Sequence, residues 1–356
     1  MKSIVVLGLG KVGALAGELL HAAGFTVTGM DMETAPAELP FETRRHDLAD
    51  LTQLTGELRN TDAVLSCLPY HLNAAVAEAA HAAGIHYFDL TEDVPTTKAI
   101  RDLAETSAGL MAPQCGLAPG FVGIVGADLI GQFDDCRMCK MRVGALPQHP
   151  TGLMGYSFNW SPEGVVNEYL NDCEVLEDGQ IKTVSPMEWI EKLYINGTEL
   201  EAFTTSGGLG TMCETYHGRV PNMDYKTMRY PGHVALMNFF FHELLMRDRR
   251  REAGEILVNA KPPVDDDIVY VHVSAEGRID GALERREFVR GYKPMALAGR
   301  SRTAIAWTTA CSVVGIIELV RDGVLPSAGF LKQEDVPMAA FLQTGTGRAY
   351  AAQGEV

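Results

Sequence analysis

Apolar residues in the first third of the chain fall into short unbroken runs separated by stretches of helical period. Ser3-Ile4-Val5-Val6-Leu7 reads as a strand and Val12 to Ala23 as a helix. Val27 to Asp31 predicts a second strand, Leu51 to Leu58 a short helix, Asp62 to Leu68 a strand, Leu72 to Ala83 a helix and His86 to Leu90 a strand. Pro95 to Ser107 follows as a helix with proline at its start, then Leu110 to Pro113 as a strand. This βα alternation predicts an α/β unit with a parallel sheet. After a helix over Phe121 to Ile130 the pattern changes. Strands such as Met138 to Val143 and Val269 to Ser274, joined by long irregular connections, predict an α+β unit with an antiparallel sheet. The longest apolar stretch, Thr303 to Val320, contains threonines, a serine and Glu318, and so predicts a buried helix in a soluble protein rather than a membrane span. The expected boundaries are 1–120, 121–315 and 316–356, the last segment packing back on the first.

The turn after the first strand adds chemistry to this pattern. Gly8-Leu9-Gly10-Lys11-Val12-Gly13 is a GxGxxG sequence that follows a strand and opens a helix, and Asp31 ends the next strand 18 residues past Gly13. Those contexts together make a Rossmann dinucleotide site: Gly8 for the tight turn, Gly10 for backbone approach to the pyrophosphate, Gly13 for close packing of helix on strand. Contacts to the cofactor are expected from Gly8, Gly10, Lys11, Val12, Gly13, Asp31, Met32, Leu68 and Pro69. A carboxylate at position 31 accepts from a ribose 2′-hydroxyl and repels a 2′-phosphate, and Met32 stands where a basic residue would favour NADP, so NAD is the expected cofactor. Arg44-Arg45 reads as solvated surface.

Composition narrows the partners. The 356 residues are 46% apolar, enough for about two domains with full cores. With 46 acidic and 30 basic residues the formal charge is −16, which disfavours nucleic acid and anionic membranes and leaves small molecules. Seven cysteines and no leader ahead of the first strand predict reduced thiols in the cytoplasm. Cys136-Arg-Met-Cys139 lies in a predicted strand, His242-Glu243-Leu-Leu-Met246 lacks the second histidine of a zinc motif, and no metal site is expected.

In open α/β sheets ligands bind beyond the carboxyl ends of the strands. That singles out Leu68-Pro69-Tyr70-His71, Asp89-Leu90-Thr91-Glu92-Asp93 and Cys115 to Gly120, where turn and capping chemistry is the alternative for each residue.

Segments on both sides of residue 121 resemble the saccharopine dehydrogenase and lysine 6-dehydrogenase family. They are Ser66 to Tyr70, Gly116 to Gly120, Gly155 to Gly164, Thr205 to Leu209, Tyr225 to His233 and Gly329 to Asp335. The resemblance spans about residues 3 to 345 and implies a Rossmann domain interrupted by a substrate and dimerisation domain, a C-terminal helix returning to the first, a homodimer, and dehydrogenation at a carbon bearing nitrogen. Within that family the wording of Cys115 to Gly120 is closer to the lysine 6-dehydrogenase branch, so oxidative deamination of L-lysine is expected; saccharopine, carboxynorspermidine, and a non-catalytic NAD-binding role are the alternatives. Oxidising an amine requires a base that removes a proton from the ammonium. Tyr70, Glu92 and Asp93 are the candidates, with His71 and Cys115 behind them. Arg229 is the expected fork for a substrate carboxylate, with His233 as a second donor and Trp160 and Tyr156 as walls.

Overall fold

The computed structural model describes residues 1–33, 38–47 and 51–353, with side chains from residue 54 onward in the last range. The predicted segment 316–356 therefore ends three residues outside the described ones. Two compact units form. One takes Met1–Phe121, Ala296–Arg300 and Ala306–Ala352, the other Val122–Met295 and Ser301–Ile305. The chain returns to the first unit at Ala306, inside a helix and ahead of residue 315, where the sequence set the boundary.

In the first unit the strands are β1 (Ser3–Leu7), β2 (Thr26–Asp31), β3 (Glu42–Arg45), β4 (Ala63–Ser66), β5 (His86–Asp89) and β6 (Leu110–Ala112). The helices between them are α1 (Lys11–Ala22), α2 (Leu51–Leu58), α3 (Tyr70–Ala83) and α4 (Val94–Ala104). The strands and the short Gly329–Phe330 segment make one parallel sheet, in the order Gly329–Phe330, β6, β5, β4, β1, β2, β3. Strand order reverses between β1 and β4, which creates the crevice where such sheets bind nucleotides. Val5, Leu7, Val64, Tyr87 and Met111 pack against Leu58, Val76, Ala80 and Ile100. The Ala304–Arg321 helix is long and apolar enough to cross a membrane by length and composition, yet 83% of it is buried within the protein. Trp307 and Phe121 both pack on Tyr350.

In the second unit the strands are β7 (Asp135–Pro147), β8 (Cys173–Glu177), β9 (Gln180–Val184), β10 (Glu191–Ile195), β11 (Thr198–Thr204), β12 (Asn222–Arg229), β13 (Asp267–Ile279) and β14 (Ala282–Tyr292). Their sheet runs β10, β11, β12, β7, β13, β14, with the β8–β9 hairpin attached at β12. The expected antiparallel sheet is instead mixed, because β7 and β12 run parallel while the other pairs are antiparallel. The long connection from Pro147 to Asn222 supplies the crossover that a parallel pair needs and no hairpin could. Cys136 and Cys139 lie on β7 on either side of a bulge, opposite Gly277 and Ala275; both are free thiols, and burial pushes both up.

One ion network crosses this sheet. Arg142 is almost fully buried, binds Glu191 through Nε and Asp224 through Nη1 at 2.5 Å, and Lys226 Nζ reaches the same Glu191 at 2.8 Å. Burial alone would raise the Glu191 carboxyl, but Arg142 and Lys226 outweigh it and hold it down at about 2. A carboxyl depressed on folding stabilises above its unfolded value and loses that contribution as pH falls through its folded value. Glu191→Gln should therefore melt several degrees below the parent at pH 7, with the gap closing as pH falls toward about 2. A gap that stays constant from pH 7 to pH 2 in thermal melts would contradict the network's role.

Candidate active site

The turn from Gly8 to Gly13 is built as its glycines require. Gly8 has φ +84°, and a Cβ there would lie 3.0 Å from both the Cys67 carbonyl oxygen and the Leu68 side chain, so the loop after β4 packs directly on the turn. At Gly13 a Cβ would fall 1.9 Å from the Gly8 carbonyl oxygen. At Gly10, which caps α1, a Cβ would meet nothing within 4 Å. Open space before a helix N-terminus whose first turn carries no acid suits a pyrophosphate. Lys11 is exposed beside it and Val12 half-buried. Asp31 does more than present an acid: its carboxylate accepts from Leu9 N at 2.6 Å and Glu33 N at 3.0 Å, tying the end of β2 to the glycine turn. Met32 is 57% exposed.

Past β5 the three acids divide their roles. Asp89 is buried and accepts from Tyr87 OH at 2.7 Å, Thr91 N at 2.9 Å and Gln114 N at 2.8 Å. Burial nevertheless pushes its carboxyl up to about 6, against the pull of those donors. Asp93 caps α4, accepting from Thr96 N at 2.9 Å and Thr96 Oγ1 at 2.6 Å, so the capping alternative, not the base, describes its carboxylate. Glu92 stands between Thr91 and Asp93, and its carboxyl is bonded to its own backbone amide. Burial pushes it up to about 7, with the neighbouring Asp93 and Asp89 adding to the rise. A carboxyl titrating there is poised for proton transfer near neutral pH.

The remaining strand-end candidates are less suited. Pro69 is exposed and caps α3, Tyr70 is half-buried at its start, and His71 is exposed with its ring edge-on to Tyr70 at 5.8 Å. Cys115 is fully buried, its Sγ 3.1 Å from the Ala112 carbonyl and 3.4 Å from Gln333 Nε2, and burial pushes the thiol well up, so it supplies no thiolate.

In the second unit Tyr156, Trp160, Arg229 and His233 do come together, but as core. Arg229 is 2% exposed, and its guanidinium lies over the Tyr156 ring at 4.5 Å and the Tyr169 ring at 5.8 Å. Nε donates to Tyr169 OH at 2.9 Å, and Nη1 to Thr227 Oγ1 at 3.0 Å and the Met228 carbonyl at 2.9 Å. Only the Nη2 donors remain, so the expected two-pronged carboxylate fork is not offered. His233 is 0% exposed and uses both ring nitrogens: Nδ1 lies 3.0 Å from the Met154 carbonyl, which makes it the donor, and Nε2 accepts from Tyr169 OH at 3.0 Å. Burial, then the Arg229 charge, pushes its imidazole down to about 3. His233 is a neutral acceptor behind Arg229 and not a second donor to a ligand. Trp160 Nε1 donates to Tyr156 OH at 3.2 Å, and Glu201 holds the turn before His233 by accepting from Gly232 N and Val234 N at 2.9 and 2.7 Å.

Asp89 lay within a strand-end segment singled out from the sequence but was not among the candidate bases, and Tyr169 was not singled out. Asp89 had a visible signal, an acid ending an apolar strand, whereas nothing in the spacing of Tyr169 ties it to Arg229, 60 residues away.

Two family models match the chain: the saccharopine dehydrogenase NADP-binding domain over residues 4–112 and the saccharopine dehydrogenase C-terminal domain over 116–344. Among curated proteins it is 22% identical over 268 residues to alpha-aminoadipic semialdehyde synthase of Rattus norvegicus, covering 67% of this chain and 28% of that one. The chain thus spans little more than a quarter of those mammalian relatives. It is also 22% identical over 318 residues to the NADP(+)-named, L-glutamate-forming saccharopine dehydrogenase of Pyricularia oryzae, covering 82% and 70%. Among solved structures, saccharopine dehydrogenase (L-Glu forming) from Saccharomyces cerevisiae superposes with TM-score 0.73 at 19% identity over 96% of this chain and 97% of that one, a likeness of fold.

Two alanine substitutions separate folding from binding at the glycine turn. Gly13→Ala must displace backbone and should destabilise the first unit by roughly 1–3 kcal/mol, the cost of overpacking. Gly10→Ala meets no protein atom and should melt like the parent while binding AMP-containing nucleotides at least tenfold more weakly. Calorimetric melting with nucleotide titration checks both, and unchanged binding by a well-folded Gly10→Ala would remove that space from the cofactor site.

Proposed function

The chain belongs to the saccharopine dehydrogenase family, and from that premise we propose that it oxidises the terminal amine of L-lysine with NAD, releasing ammonia and a semialdehyde. The observation that carries this reading is the charge of the strand-end loops: Leu68 to His71, Asp89 to Asp93 and Cys115 to Gly120 hold three carboxylates and neither lysine nor arginine. Such loops suit an ammonium. A saccharopine nitrogen carries a carboxylate one carbon away, which these loops would repel, whereas the lysine carboxylate lies at the far end of its side chain.

Gly8, Gly10, Gly13 and Asp31 would hold the dinucleotide, with Asp31 accepting from the ribose hydroxyl. The bound nicotinamide supplies the two-electron acceptor. Glu92, ionised above about 7, takes the proton from the substrate ammonium so that the free amine reacts, and after passing that proton to solvent its carboxylate can deprotonate the water that attacks the resulting iminium carbon. Asp89 and Asp93 keep the loop in place and, being spent on backbone donors, do not compete for that proton. A saccharopine dehydrogenase is the second reading, favoured by the names of the relatives.

Reduced-nucleotide absorbance with lysine and with saccharopine, alongside an ammonia assay, tests the proposal. Turnover with lysine and stoichiometric ammonia is expected; turnover with saccharopine alone, without ammonia, establishes the second reading. For the base, kcat/KM should rise with pH through about 7. Glu92→Gln should lower kcat by about 10²–10⁴-fold and remove that limb, while Asp93→Asn, still a good cap, should stay within a few-fold. A carboxyl raised on folding favours the fold below its unfolded value and loses that contribution as pH rises through its folded value, so Glu92→Gln should also melt higher than the parent at pH 8. An active, less stable Glu92→Gln enzyme would exclude this base.

A further inference from the structure

We propose that Gln333 is a positioning residue for the strand-end carboxylates: its side-chain amide holds the turn that brings two backbone amides to Asp89, and through Asp89 it governs the surroundings of Glu92. The proposal rests on the reading of Glu92 as the base. The Gly329–Phe330 segment pairs with β6, Gly329 opposite Leu110 and Phe330 opposite Met111, and Leu331 N donates to the Met111 carbonyl at 3.0 Å. That pairing brings Gln333, the buried first residue of a short helical turn, to the loop leaving β6. Its Nε2 donates to the Pro113 carbonyl at 2.8 Å and to Cys115 Sγ at 3.4 Å. The two acceptors flank Gln114. A carbonyl can only accept, so the amide has one orientation, both N–H groups are used, and Oε1 is left buried without a partner among the described residues. An orphaned acceptor is a cost, and what offsets it lies in the loop that the two donors hold.

Gln114 has φ +64°, a left-handed backbone that a residue with a Cβ avoids. In that conformation two successive amides reach Asp89: Gln114 N donates to Oδ1 at 2.8 Å and Cys115 N to the Asp89 carbonyl at 2.9 Å. A strained turn persists where its neighbours over-determine it, and the amide that straddles this one comes from Gln333. The titratable groups facing Asp89 are Tyr87, Cys67, Cys115 and Glu92. Burial holds the phenol and both thiols up, so at neutral pH they carry no charge, and the acids that add to the rise of Glu92 are Asp93 and Asp89. Without the Gln333 donors the turn relaxes and Asp89 loses hydrogen bonds that favour its charged form. More of it is then protonated at neutral pH, its repulsion of Glu92 weakens, and the Glu92 carboxyl moves down. Water entering a loosened loop acts on Glu92 in the same direction, whereas loss of a donor to Glu92 itself would move it up.

The test uses the full chain and has one arm that needs no turnover. Gln333→Met keeps an unbranched side chain of similar length and removes both donors. Backbone hydrogen exchange read by mass spectrometry should be roughly tenfold faster at Gln114 and Cys115 in this variant, with β1 unchanged. In the second arm, the rise of kcat/KM for lysine with pH, centred at about 7 in the parent, should move to lower pH. Adding Gln114→Gly to Gln333→Met should restore slow exchange in part and return the limb toward the parent, because glycine takes the left-handed conformation without strain. Cys115→Ala, which leaves the bond to Pro113, should shift exchange and limb in the same direction as Gln333→Met and by less, and it carries the test if Gln333→Met does not fold. Unchanged exchange at Gln114 and Cys115, a limb that stays in place or moves to higher pH, or a double variant no different from Gln333→Met overturns the role of Gln333. A limb that persists in Glu92→Gln overturns the base reading instead, and the exchange arm then decides separately whether Gln333 holds the Asp89 turn.

Discussion

A buried carboxylate at the end of β5 determines the form of the strand-end edge of the first unit. An ionisable carboxyl removed from water is tolerated where donors converge on it, and Asp89 collects three: the Tyr87 hydroxyl from its own strand, Thr91 N from the loop that follows, and Gln114 N from the loop after β6. Two loops from neighbouring strands are thereby fastened to one point. Thr91 Oγ1 then accepts from Asp93 N at 3.1 Å, and Asp93 caps α4, so both neighbours of Glu92 are fixed in turn. Burial keeps the Asp89 carboxyl up at about 6, and its charge and that of Asp93 add to the burial that lifts Glu92 to about 7. The anchor and the raised Glu92 carboxyl have the same cause.

The first unit was the more legible in the sequence because its physics is local. A parallel sheet covered on both faces writes its strands as continuous apolar runs, and the glycine turn follows from contacts within a few residues of one another, such as Gly8 against Gly13. The second unit depends on pairings between residues far apart. No period along β7 announces that it runs parallel to β12, or that Arg142 meets Asp224, 82 residues on. The site divides in the same way. Sequence could bring Asp89, Glu92 and Asp93 to one strand end, but which of them caps, which anchors and which is left to titrate is decided by hydrogen bonds to Thr96, Tyr87 and Gln114. Arg229 was legible as an unusual arginine in a compact turn. That three of its five donors face the core was not, because Tyr169 and Thr227 reach it through the fold.

Arg142 and Arg229 show two ways in which one sheet buries a guanidinium. Arg142 is neutralised by charge, with Glu191 and Asp224 on it and Lys226 sharing Glu191, so its stability depends on pH through the acids. Arg229 makes its hydrogen bonds to neutral acceptors under π faces, with the buried Glu168 adding an attractive charge, through a chain in which its Nε–H donates to Tyr169, the Tyr169 hydroxyl to His233 Nε2, and His233 Nδ1–H to the Met154 carbonyl. Each donor in that chain has one direction, since the guanidinium can only donate and the Met154 carbonyl can only accept. The tautomer of His233 follows from its two ends, and the positive charge of Arg229 keeps the ring neutral. A charge at this position is thus compatible with the core because every group around it is oriented before any ligand arrives, and that preorganisation is what a buried polar network contributes to a single native arrangement.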